Sequence, residues 1–123
     1  MITLKLTRTE FLSMILFLRK HTAGQEDVQL AYQSTIMLVL MDYLATWTSL
    51  RLVAWSQRRP DKKFRLSLKP VVARTLHQEM QHAKLTPHQQ LFLNELDLAI
   101  VSHNRPSDAQ VWQSLGLIGG GQP

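Results

Sequence analysis

QEDVQLAYQSTIMLVLMDYLATWTSLRLVAW, residues 25–55, is the stretch on which the fold turns. It contains no Gly and no Pro, and between Ile36 and Ala45 its only charge is Asp42. Glu26 and Asp27 open it and Arg58 and Arg59 follow it, the charge order that a helix dipole favours. The pattern predicts one long central helix from Gln25 to Trp55, apolar almost all round at mid-length, on which the other helices pack. Length complicates that picture. At 1.5 Å per residue such a rod reaches about 46 Å, whereas a compact domain of this size is roughly 35 Å across. The helix must therefore bend or project into a second subunit. Thr46, Thr48 and Ser49 mark the expected bend, because their hydroxyls can bond to backbone groups and loosen the ladder.

Outward from this axis, the N-terminal side begins with Ile2, Leu4 and Leu6 alternating with Thr3, Lys5 and Thr7, the period of a half-buried strand. Thr7 and Glu10 form a capping box that starts a helix running from Arg8 to about Lys20. On the C-terminal side, Pro60 and Asp61 break the chain, and Phe64, Leu66 and Leu68 repeat the alternation. Pairing of residues 2–6 with 64–68 would give a small ribbon; two chance alternations are the competing account. Pro70 suits the first turn of a third main helix ending at Leu85. Thr86, Pro87 and Gln89 start a fourth, which runs to about His103. Ser107 with Gln110 opens a short C-terminal helix through Leu115. The expected architecture is mainly α: a single-domain bundle over residues 1–118 of four main helices and one short one, with a flexible tail at 119–123.

Composition narrows the function classes. A chain of 123 residues, 45% hydrophobic and 19% charged, has the balance of a soluble globular protein. Without cysteine it has no disulfide, thiolate metal site or cysteine nucleophile. Arg8 and Glu10 interrupt any signal-peptide order, and Asp42 at mid-stretch argues against a membrane-spanning helix. A cytoplasmic protein without membrane association is expected.

Charge is distributed unevenly. Arg51, Arg58, Arg59, Lys62, Lys63, Arg65, Lys69 and Arg74 face only Asp61 within their segment, a local excess of +7 that exceeds the +5 of the whole chain. Such a run suits nucleic acid or an acidic partner, with Trp55 and Phe64 beside it as potential stacking rings. A solvated turn with two core aromatics explains the same residues. No helix-turn-helix supports the nucleic-acid reading: the helix after Thr86 presents Glu95 and Asp97, which would repel phosphates.

Other chemistry is sparse. Glu79 and His82 form a Glu-x-x-His pair on one helical face, but a di-metal bundle needs a second pair and two further carboxylates, and His77 points elsewhere. No nucleophile elbow or phosphate loop occurs, and the cluster Gly119 to Gly121 lies at the tail. The sequence thus points to a non-enzymatic helical interaction module, without metal or cofactor, that forms a homodimer to cover its surplus apolar faces. Nucleic-acid binding through residues 51–74 is the alternative.

Overall fold

The computed structural model of the protein describes residues 1–104. Strand β1 spans Ile2–Leu6 and helix α1 Arg8–His21. Two 3-10 turns follow, Gln25–Asp27 and Leu30–Tyr32. Helices α2 (Thr35–Ala45) and α3 (Ser49–Ser56) lead to strand β2 (Phe64–Leu68), α4 (Pro70–Gln81) and α5 (Pro87–Asn104). The protein is mainly helical with a small two-stranded sheet. The expected short helix from Ser107 to Leu115 and the tail at 119–123 lie outside the described residues.

The two alternating runs do pair. β1 and β2 are antiparallel, with Ile2 opposite Leu68, Leu4 opposite Leu66 and Leu6 opposite Phe64. All of these except the half-buried Phe64 are buried, while Thr3, Lys5, Arg65 and Ser67 face outward. A two-stranded ribbon needs support, and here its inner face supplies a core shared with helices. α5 lies along α1 and β1, α4 packs on α5 and α2, and α1 touches α3. Leu6, Phe11, Met14, Leu18, Leu68, Leu76, Met80, Phe92 and Leu96 are fully buried at the centre. Each such side chain contributes about 1.5–3 kcal/mol relative to an exposed one.

The helix starts follow their sequence signals. At α1 the Glu10 N–H donates to Thr7 Oγ1 at 3.2 Å, and the Thr7 N–H donates to Glu10 Oε1 at 2.8 Å. This reciprocal box accounts for the burial of Glu10. At α5 the Gln89 N–H donates to Thr86 Oγ1 and the Thr86 N–H to Gln89 Oε1. Gln89 also donates through Nε2 to the Ser13 carbonyl at 3.2 Å, tying α5 to α1. α4 ends at Gln81 rather than Leu85, and Pro70 occupies its first turn as expected.

The single long helix over residues 25–55 is not formed. Residues 25–33 make only the two short turns, held by Gln33 Nε2, which donates to the Gln25 and Val28 carbonyls. Ser34 then starts α2 afresh by accepting the Met37 N–H on its hydroxyl at 3.1 Å. The second break falls where it was expected. Thr46 donates its hydroxyl to the Tyr43 carbonyl at 2.6 Å, and Thr48 accepts the Arg51 N–H to cap α3. α2 and α3 meet there at a bend of 71°. Propensity favoured one rod, but three side-chain caps offered the backbone local partners and ended it. No single helix among the described residues is long and apolar enough to cross a membrane.

Candidate functional site

The bend turns α3 back toward the ribbon and opens a cleft of about 630 Å³ between them. Two periodicities fill it with cations. Along α3, Arg51 and Trp55 fall at i and i+4 and share one face, and Arg58, two residues past the helix end, folds back over the Trp55 ring. Along β2, the alternation that sends Leu66 and Leu68 inward sends Arg65 and Ser67 outward, and Lys69 continues that face to the start of α4. Arg51, Arg58, Arg65 and Lys69 therefore line the same cleft, with Asp42 as its one acid.

Two of the four cations, both guanidinium groups, are held in place from beneath. Trp55 stacks on Phe11 at 4.1 Å between ring centroids, which fixes its indole in the core. Arg58 lies over the Trp55 ring at 4.2 Å and over Phe64 at 4.6 Å, and its carbonyl accepts Arg8 Nη1 at 3.0 Å. Arg51 lies over Trp47 at 4.0 Å and donates from Nη1 to the Thr46 carbonyl at 2.6 Å. A ring and a carbonyl orient the Arg51 cation, and two rings orient that of Arg58, before any ligand arrives. Among the described residues none of these four cations forms an ion pair with a carboxylate.

Under the wall of the cleft, the Tyr43 hydroxyl and the Trp47 indole N–H are sealed from solvent without a hydrogen-bond partner among the described residues. The two rings meet edge to face at 6.3 Å. Burial pushes the Tyr43 phenol up to about 12; the nearby indole and the Arg51 charge offset this only in part. The indole thus lies near enough to influence the phenol but outside hydrogen-bonding geometry.

The eight basic residues singled out in the sequence separate into two groups. Arg51, Arg58, Arg65 and Lys69 converge. Arg59 pairs with Asp61 at 3.1 Å on the exposed turn, a surface contact of little energetic weight. Lys63 reaches Glu95 on α5 at 3.6 Å, and Lys62 stands exposed on the same turn. Arg74 lines a different cavity, beside His77 and Gln81. The sequence reading missed Tyr43, Trp47 and Asp42 as parts of the site. The available signal was the spacing of four through Tyr43, Trp47, Arg51 and Trp55, which core packing explains equally well.

The Glu-x-x-His pair is divided between two uses. Glu79 Oε1 meets His21 Nε2 at 2.9 Å, joining α4 to α1, and His82 is exposed. His77 meets Asp97 at 3.0 Å between α4 and α5. Among the described residues no three His, Cys, Asp or Glu side chains gather as a metal set. Neither family models, characterised proteins nor solved structures give a match to this chain.

The second surface of note is apolar. Residues 28–41 carry no charge, and Leu40 is their one buried side chain. Leu30 is 71% exposed and Tyr32 80%, and Leu50 at the start of α3 is 81% exposed. Isolated exposed apolar residues are ordinary; an uncharged run of this length lying at the surface is not.

Proposed function

We propose that the protein is a small cytoplasmic, non-enzymatic helical interaction module that self-associates through the surface formed by residues 28–41 and the start of α3. The observation that carries this reading is the uncharged run from Val28 to Met41, with Leu30, Tyr32 and Ile36 exposed in it, in a chain of net charge +5. Two copies of a basic protein repel one another wherever charged faces meet. A patch without charge is the place where they approach at the least electrostatic cost, and depletion of charge is the compositional mark of an interface centre. A two-fold arrangement sets the same apolar patch against itself and needs no complementary surface elsewhere.

Light scattering at micromolar concentration tests this. The expected result is a mass near twice 14.2 kDa. Leu30→Glu places a charge in the patch at a side chain that stabilises little in the monomer, so it should convert dimer to monomer while stability changes by no more than about 0.5 kcal/mol. A wild-type monomer mass would remove the proposal.

Nucleic-acid binding through residues 51–74 has one observation in its favour, the convergence of Arg51, Arg58, Arg65 and Lys69. Against it, the rings needed for base stacking are occupied. Trp55 is buried between Phe11 and Arg58, and Arg51 covers Trp47. What remains accessible is positive charge, which reads phosphate and not sequence.

A further inference from the structure

Self-association makes no use of the cleft between α3 and the ribbon. We infer that this cleft binds a phosphomonoester dianion carried on an apolar or aromatic body, either free in solution or as the headgroup of an anionic lipid. Four cations, Arg51, Arg58, Arg65 and Lys69, line it against Asp42 alone, and among the described residues no carboxylate neutralises them. Arg65 also stands directly opposite Lys5 across the ribbon, a like-charge arrangement that disfavours the empty state. The ring contacts of Arg51 and Arg58 offset part of this concentration of charge, but the mutual repulsion of the cations remains, and a bound anion relieves it.

The kind of anion follows from number and shape. A single carboxylate leaves most of this charge uncompensated, whereas a phosphomonoester brings two charges and three strong acceptors. Guanidinium forks match phosphate oxygens in pairs, and those of Arg51 and Arg58 are already oriented by Trp47, Trp55 and Phe64. Pre-orientation lowers the entropy lost on binding. Ala54, Leu66 and Val72 give the cleft apolar walls for the body of the ligand. Its volume of about 630 Å³ suits a small molecule. A polynucleotide fits less well, since successive bases would need free ring faces that the arginines already cover.

Isothermal titration at low salt with phenyl phosphate, inorganic phosphate and benzoate tests the site. Phenyl phosphate should bind more tightly than inorganic phosphate, which lacks the ring, and more tightly than benzoate, which lacks the second charge. Arg51→Gln with Arg65→Gln should weaken phenyl phosphate by at least about tenfold. Arg59→Gln with Lys62→Gln removes the same charge outside the cleft and should leave binding within about twofold. Should the first double variant fail to fold, Arg65→Gln alone carries the comparison, because it also relieves the repulsion with Lys5. Vesicles of phosphatidylcholine with and without phosphatidic acid separate the two sources. Recruitment to phosphatidic acid that phenyl phosphate competes away assigns the lipid, and its absence alongside phenyl phosphate binding assigns the free ligand. Equal losses in the two double variants, failure to bind both phenyl phosphate and phosphatidic acid vesicles, or binding of a polynucleotide alone would each overturn the inference. The dimer mass is measured separately, so the two proposals fail independently.

Discussion

The ribbon with α1, α4 and α5 differs from the α2–α3 arm in how its apolar residues are spent, though both are rich in them. In the first region most large apolar side chains are covered: Leu6, Phe11, Leu76, Phe92 and Leu96 are fully buried, while Leu16, Val71, Leu91, Leu98 and Val101 stay exposed. In the arm the apolar residues run round the helix, and only Leu40 and Trp55 are buried. The number of neighbours an element packs against, more than its hydrophobicity, decides what becomes core. A helix with one apolar stripe has one place to dock, whereas a helix apolar all round must leave part of itself uncovered unless something else surrounds it.

The sharpest way to break this comparison is to remove one large side chain from each region. Phe92→Ala empties a fully buried site in α5 and should destabilise by about 3–5 kcal/mol, read as a lower urea midpoint at unchanged slope. Leu30→Glu, in the turn that leads into the arm, should barely move that midpoint while changing the mass. If Phe92→Ala costs no more than Leu30→Glu, the division into scaffold and arm is wrong. A smaller effect is expected at the joint between α1 and α5. Gln89→Ala deletes half of a capping box and the second hydrogen bond to the Ser13 carbonyl, the tie between α5 and α1, which should cost about 2 kcal/mol in the same denaturation measurement.

The scaffold was legible because its signals are local. Alternation in Ile2–Leu6 and Phe64–Leu68 selects the faces, and the face selection fixes the register once the strands meet. Thr7 with Glu10 and Thr86 with Gln89 announce helix starts because both partners of each reciprocal pair lie within four residues. The arm was harder for two reasons. An all-round apolar run has no period to reveal its ends, and Ser34 as a cap is followed by Met37, not by Glu or Gln, so it resembles a serine within a helix. The bend at Thr46 to Ser49 could be placed because the length of the run called for a bend or a projection, and the hydroxyls of Thr46, Thr48 and Ser49 marked where a bend would fall. At the cleft, the basic composition was plain, but its partition was not. Which four of eight cations converge depends on the 71° bend and on the ribbon pairing, and neither is a local property.

The finest test concerns Tyr43, where the arm seals a polar group without giving it a partner. The scaffold satisfies its buried Glu10 and Gln89; the arm leaves the Tyr43 hydroxyl unpaired. Tyr43→Phe keeps the ring and removes the orphan oxygen, so it should leave stability unchanged or raise it by about 1 kcal/mol at neutral pH. The difference should grow in alkali. Folded Tyr43 holds its proton up to about 12, while the unfolded chain releases it near 10. Between those values the unfolded state binds fewer protons than the folded one, so wild-type stability falls as pH rises, by about 3 kcal/mol at most. The phenylalanine variant lacks this loss. Thermal melts of the two proteins from pH 9 to 12 should therefore diverge above pH 10, and parallel curves would mean that the hydroxyl reaches water or a partner after all.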